Sequence, residues 1–272
     1  MIESCASVDS KSVTEPADIV ADFFKGRSFR RYVIAFSGGV DSSALLHIMA
    51  NLIPREHLLA FHINHGLQDE ANDWQQHCQR IAEGMGVRFK AVKLVSKPKP
   101  GQSIEAWARE ARYYHFEQHL GEGECLISAH HQDDQAETFL LNLMRGCGVD
   151  GLASMPESRP LGHGTLLRPM LAVSRHDIEL YAEANDLKWV EDPSNRNSKY
   201  GRTVVRDRLE AEPQKAKGFY IATARFARAR RALETATDDW LARYAARESG
   251  WHSASSAQPA GSCTSSSIGT TL

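Results

Sequence analysis

The sequence predicts an α/β fold: a mostly parallel, doubly wound sheet followed by a C-terminal helical region. Three observations predict it. From residue 31 onward, short apolar runs alternate with longer stretches of helical periodicity, the pattern of strands joined by crossover helices. A glycine-serine turn, SGGVDSS at residues 37–43, stands between one such strand and one such helix. Charge is divided unevenly: residues 199–247 hold 12 Lys or Arg against 6 acids, whereas residues 1–198 hold 20 against 27.

Residues 1–30 read as an N-terminal extension ending in an amphipathic helix over 17–25. Residues 31–198 read as the main α/β domain. Its first strand spans 31–36, and apolar spacing makes 44–53 a helix. A strand at 57–63, a helix at 70–85 and a strand at 89–95 repeat the theme. After a Pro/Lys loop at 96–102 come a helix over 103–120, with Glu105 in its first turn, and a strand at 125–129. A helix over 133–145 follows. The periodicity then loosens through CGVDGLASMPESRPLGHG and resumes at 165–171. Ser174, with Asp177 three positions on, caps a helix running to about Asn185. The polar loop VEDPSNRNSKYGR leads into a basic helical region, 199–248, and the small polar residues of 249–272 read as a disordered tail.

Composition narrows the function. Five scattered cysteines, Cys5, Cys78, Cys125, Cys147 and Cys263, form no CxxC pair and are odd in number, so neither a disulfide framework nor a zinc ribbon is expected. No apolar stretch approaches twenty residues, so neither a signal peptide nor a membrane span is expected, and free thiols suit a cytoplasmic protein. The basic segment suits a polyanion held from one side, or simply a solvated helix face.

Ligands of open parallel sheets bind beyond the carboxyl ends of the strands, where residues 37–43 lie. Gly38 and Gly39 let the backbone turn tightly, and Ser37, Ser42 and Ser43 add hydroxyl donors at a helix N-terminus, together a cradle for phosphate. No Gly-Lys-Ser/Thr occurs in the chain, which excludes the GxxxxGK[ST] nucleotide loop. Asp41 beside a phosphate needs a cation between them, and magnesium supplies one.

The stretch resembles the PP-loop of the N-type ATP pyrophosphatases, the adenine nucleotide alpha hydrolase-like fold. Three further stretches, FHINHGLQDEANDWQQHC at 61–78, SIEAWAREARYYHF at 103–116 and ISAHHQDDQAETFLLNLMRGCGVDGLASM at 127–155, make residues 34–206 similar to the tRNA(Ile)-lysidine synthases within that superfamily. This resemblance implies a ligase: ATP adenylates the C2 oxygen of the wobble cytidine in a CAU anticodon of tRNA(Ile), and the amine of free L-lysine then displaces AMP to form lysidine. It implies ATP and Mg2+ as cofactors, with Ser37, Gly38, Gly39, Val40, Asp41 and Ser42 holding the nucleotide and Asp41 near the metal. His130, Asp134 and Glu137 match the family's lysine-handling stretch, and Arg112, or Arg109 one turn earlier, would steady the intermediate. Arg145, Asn195, Arg202 and Arg206 join Arg109 as candidates for tRNA contact. The family often reads Arg-Asn where this chain has Arg202-Thr203, and many members carry further C-terminal domains; a homodimer is a family-level expectation. On the residues alone three rivals stay open. They are a tRNA thiolase, whose chemistry usually relies on cysteine pairs; a metal-dependent phosphohydrolase built on HINH and HHQDD; and a truncated, non-catalytic ATP- or RNA-binding protein.

Overall fold

The computed structural model describes residues 15–66, 71–94, 98, 101–190 and 202–255. They fall into two compact units, Met1–Ala227 and Arg228–Leu272. In chain order the first unit runs α1 (Pro16–Phe24), β1 (Arg31–Ala35), α2 (Val40–Leu52), a 3-10 turn at Arg55–His57, β2 (Leu58–Asn64), α3 (Ala71–Gly84) and β3 (Arg88–Lys93). It continues with α4 (Ile104–His119), β4 (Glu124–Ile127), α5 (Gln132–Met144), α6 (Val149–Leu152), β5 (Ser158–Leu161), β6 (Gly164–Leu167), α7 (Arg175–Ala184) and α8 (Arg202–Ala211), and α9 is Pro213–Ser255.

The six strands form one sheet in the order β3-β2-β1-β4-β6-β5. Every pairing is parallel except β5 with β6. The strand order therefore runs outward from β1 in one direction and then, after β3, restarts at β4 on the other side of β1. That reversal opens a crevice between the carboxyl ends of β1 and β4, the place where open α/β sheets bind ligands.

Alternation along the strands builds two cores. Tyr32, Ile34 and Phe36 of the β1 segment, with Leu58, Ala60, Cys125 and Ile127, pack on one face against α1, α2, α3 and α7. Val33, Phe61, Ile63 and Leu126 point to the other face, where Trp107, Phe116 and Leu120 of the α4 segment cover them. Helices thus lie on both faces, as the alternating pattern predicts. A third cluster docks α8 and the start of α9 on α5 through Ala136, Val205, Leu209 and Phe219. In α2, Ala44, Leu45, Leu46, Ile48 and Met49 are all buried. At about 1.5–3 kcal/mol for each large side chain, that burial fixes the helix axis and, with it, the direction in which its N-terminus points.

The structure departs from the sequence reading in three places, one of them the start of the expected tail, where α9 continues through residues 249–255 to Ser255. The helix after the glycine turn starts at Val40, four residues earlier than apolar spacing indicates, because Asp41, Ser42 and Ser43 form a polar first turn. The loosened stretch after Gly146 contains α6 and a β5–β6 hairpin. β5 was hidden because it is an edge strand carrying Arg159 and Pro160, and proline is tolerated at an edge where its missing N–H costs no ladder bond. The Ser174 cap is as expected: its Oγ accepts the Asp177 N–H at 3.1 Å. Among the described residues no helix is long and apolar enough to cross a membrane. The 96–102 loop falls largely, and the DPSN loop with Asn195 wholly, outside the described residues.

Candidate active site

The first wall of the crevice is the turn after β1. Gly38 has a φ of 86°, and a Cβ placed on it would lie 2.5 Å from Cys78 Sγ, so this position admits only glycine on two independent grounds. Gly39 is the N-cap of α2 and offers no side chain to the helix end. The first-turn hydroxyl takes over instead. Ser42 Oγ accepts the N–H groups of Ser37 (3.3 Å) and Gly38 (3.1 Å) and lies 3.1 Å from Ser37 Oγ and from the Gly39 carbonyl. Backbone donors and two hydroxyls thus converge on one oxygen position at the positive end of a buried helix, an arrangement that accepts a phosphate oxygen. Val190 N–H donates to the Gly38 carbonyl at 2.9 Å, tying the segment after α7 to the same turn.

The second wall is the N-terminus of α5 after β4. His131 Nε2 lies 3.8 Å from Asp41 Oδ1 and 3.4 Å from Asp134 Oδ2, and its Nδ1 is 3.4 Å from Asp133 Oδ2. Burial opposes a charge on this imidazole, but Asp134, Asp133 and Asp41 outweigh it and raise its pKa to about 9. His131 is therefore an imidazolium shared among three carboxylates. Asp134 Oδ2 also accepts the His131 N–H at 3.0 Å, while Asp133 Oδ2 accepts the Arg175 N–H at 2.8 Å and so pins the start of α7. Arg175 Nη1 is 4.0 Å from Asp41 Oδ2.

Asp41 belongs to the first wall and faces the second. Burial raises its pKa against the pull of His131 and Arg175, and its Oδ1 is buried without a hydrogen-bond partner. A carboxylate oxygen left unsatisfied beside an anion cradle has the donor chemistry of a magnesium site, since this ion takes one or two carboxylates and completes its shell with phosphate oxygens and water. Among the described residues no group of three or more His, Cys, Asp or Glu side chains forms a ready-made metal cage. The HINH stretch is spent on structure: His62 Nδ1 is 2.9 Å from the Phe36 carbonyl, and Asn64 bonds Ala71, Gln75 and Gly66.

His130 is half-buried, 2.8 Å from Ser128 Oγ; desolvation, with Arg168 and Arg109 nearby, pushes its pKa down to about 4 despite Asp134. It is neutral at ordinary pH. Glu137 is buried in a two-point ion pair with Arg206, whose Nε and Nη2 donate at 2.6 and 3.3 Å. Arg206, a sequence candidate for tRNA contact, thus meets a lysine-handling candidate. Arg112 and Arg109 share α4 but diverge, Arg112 Nη2 lying 3.4 Å from His65 Nε2 and Arg109 Cζ 5.1 Å from the Tyr113 ring centre. Arg145 caps the C-terminus of α5 and is exposed; Arg202 opens α8, its side chain outside the described set.

Three residues that sequence reasoning passed over complete the cluster: His131, Asp133 and Arg175. The adjacent HH and DD pairs at 130–134 carried a signal for the first two. Nothing local marked Arg175, which the start of α7 delivers from 134 positions beyond Asp41 in the chain.

The two buried cysteines, Cys78 and Cys125, are unsuited to thiolate chemistry. Burial pushes Cys78 up to about 12 and Cys125 upward as well, so both remain thiols.

A PP-loop domain model matches residues 12–212. The tRNA(Ile)-lysidine synthase of Coxiella burnetii is 50% identical over 178 residues, covering 64% of this chain and 39% of that protein. That of Pseudomonas aeruginosa is 46% identical over 218 residues, covering 79% and 48%. The chain therefore spans less than half the length of these curated relatives. Among solved structures, the U34-tRNA thiolase NcsA from Methanococcus maripaludis superposes with a TM-score of 0.62 at 19% identity over 80% of this chain and 78% of that one, a likeness of fold.

Proposed function

Because this chain belongs to the PP-loop domain family, whose members bind ATP, we propose that it is a tRNA(Ile)-lysidine synthase: a ligase that adenylates the C2 oxygen of a wobble cytidine and replaces it with lysine. The observation that carries the reading is the facing of two unlike walls across the β1/β4 crevice. One is a neutral cradle of N–H and hydroxyl donors, the other a cluster of acids and histidines.

Ser37, Gly38, Gly39, Val40 and Ser42 hold the phosphates of ATP, whose arrival exchanges the internal hydrogen bonds of the turn for bonds to phosphate oxygens. Asp41 is the protein oxygen for magnesium, which when bound neutralises charge building on the departing pyrophosphate. A carbonyl oxygen is a poor leaving group; as an adenylate it leaves as AMP. L-lysine brings a cationic α-ammonium and an amine that must lose a proton before it attacks C2. Asp134, and Glu137 once it parts from Arg206, supply carboxylates that hold those cationic groups and help remove the proton, with neutral His130 beside them. Arg112 steadies the adenylated intermediate. Arg109, Arg145, Asn195, Arg202 and Arg206 contact a tRNA whose CAU anticodon loop is single-stranded, which leaves the base accessible.

The test is product analysis with ATP, L-lysine and anticodon stem-loops bearing wobble cytidine or uridine. AMP and pyrophosphate released only with cytidine and lysine support the reading. ADP as product, or no turnover despite ATP and RNA binding, overturns it.

A further inference from the structure

We propose that Arg109, Arg159 and Arg168, gathered around Tyr113, form a binding site for a backbone phosphate of the RNA substrate, a refinement that rests on the RNA-modifying reading above. Three elements bring them together: α4 supplies Arg109 and Tyr113, β5 supplies Arg159, and Arg168 follows β6 directly. Arg109 Cζ and Arg159 Cζ lie 5.1 and 5.2 Å from the Tyr113 ring centre, and the Arg168 guanidinium is close enough to pull down the pKa of the Tyr113 phenol.

What singles the cluster out is its missing counter-charge. Among the described residues none of the three arginines pairs with a carboxylate; the acceptors they meet are neutral, the Pro156 carbonyl for Arg168 Nη1 (2.7 Å) and the Pro160 carbonyl for Arg159 Nη1 (3.1 Å). Arg168 is 3% exposed and its Nε has no partner. Burial, together with Arg159 and Arg109, lowers its pKa; the Tyr113 phenol, which burial alone would raise, is lowered by the same three guanidiniums. Buried charges are normally paired, and guanidiniums converging without a carboxylate suit a tetrahedral oxyanion, which several N–H groups reach at once.

Position identifies the anion. Arg168 continues β6 beyond Leu167, whose carbonyl accepts the Ser128 N–H at 3.0 Å, so the cluster sits at the carboxyl edge of the sheet beside His130, which Arg168 and Arg109 influence electrostatically. It lies with α4 on the opposite sheet face from α2, whose N-terminus provides the ATP cradle. A cytidine reaching His130 brings its flanking phosphodiesters along, anions that the ATP cradle on the other face does not serve.

Fluorescence anisotropy with the wobble-cytidine and wobble-uridine stem-loops across a salt series tests this. Arg109→Ala and Arg159→Ala are the main variants, Arg168→Lys keeps the buried charge, and Arg55→Ala, an exposed arginine in the turn before β2, controls for net charge. Each main variant is expected to weaken both RNAs alike by about three- to tenfold, to reduce the slope of log affinity against log salt by about 0.7, and to leave ATP affinity by calorimetry unchanged. Unchanged RNA affinity and slope overturn the proposal. So does a fall in ATP or pyrophosphate affinity in place of RNA affinity, which would make the cluster a nucleotide site. Wild-type protein that binds RNA with the expected variant losses but forms no lysidine sinks the synthase reading and leaves this site standing; wild-type protein that binds neither stem-loop sinks both.

Discussion

The two ends of the sheet each hold a carboxylate among charged neighbours, Glu124 buried and Asp41 half-buried, and they are built to opposite effect. At the amino end Glu124, which starts β4, receives Arg30 Nη2 at 2.8 Å, Arg31 Nη2 at 2.6 Å and the Gly121 N–H at 3.0 Å. Burial would raise its pKa, but the Gly121 N–H and the two guanidiniums lower it. At the carboxyl end Asp41 is raised by burial, its Oδ1 lacks a hydrogen bond, and the nearest imidazolium is shared with Asp133 and Asp134. Both clusters join strands and helices distant in sequence. Only one is complete without a ligand. A satisfied carboxylate holds a fold together, whereas an unsatisfied one beside hydrogen-bond donors retains affinity for something that arrives later.

The contrast is broken most directly by exchanging which property each carboxylate controls. Asp41→Asn is expected to slow formation of AMP and pyrophosphate by about 100-fold or more, close to 2.7 kcal/mol of transition-state stabilisation, while the melting temperature stays level or rises because the ionised carboxylate is held there against its burial. A melting temperature that falls with activity intact would place Asp41 with Glu124 as a structural residue. Glu124→Ala should do the reverse: about 2–3 kcal/mol lost in urea unfolding, because two arginines lose their partner, with turnover of the folded protein unchanged. Gly38→Ala sharpens the first wall. The Cys78 contact and the positive φ together predict a loss of about 1–3 kcal/mol and weaker ATP binding by calorimetry. Gly39→Ala, whose Cβ would meet Ser37 Oγ at an ordinary 3.7 Å, should be milder.

The smallest effect is on the pH dependence of the ligand-free protein. His131 has a folded pKa of about 9, above its ordinary 6.5, so its contribution is fully present below pH 6.5 and is lost as the pH rises through 9. His130, pushed down to about 4 from 6.5, is folded in its neutral form and costs stability as the pH falls between those values. Glu124, lowered from 4.5, contributes above pH 4.5 and loses that contribution as the pH falls through its folded value. Urea midpoints measured across pH should therefore peak near 6.5. The alkaline decline should disappear in His131→Gln, and the steepest acid loss should shrink in Glu124→Ala.

The fold was legible because its signal is local. Strands β1, β2 and β4 of the parallel part of the sheet are mainly apolar runs, β3 alternates instead, crossover helices follow, and the glycine turn marks the crevice before any coordinate is known. What escaped was equally specific. The edge strand β5 carries Arg159 and Pro160 and has no alternation to betray it, and the apolar spacing of α2 concealed a first turn made of Asp41, Ser42 and Ser43. In the site, motifs alone named residues 37–42, His130, Asp134 and Glu137 as candidates. The pairing of Glu137 with Arg206, 69 positions away, left no trace in spacing.

By itself the sequence determined the residue types at each wall: hydroxyls and glycines after β1, acids and histidines after β4. It determined their order along the chain, because short-range periodicity and turn chemistry act within a few residues. Tertiary structure decided which of those charges are satisfied. It set Asp41 against His131, gave Glu137 to Arg206, and left Arg109, Arg159 and Arg168 around one tyrosine with no acid among the described residues to balance them. The physical reason is range: a charge's state depends on burial and on neighbours within a few ångströms, and those neighbours come from strands and helices that only the closed sheet brings together.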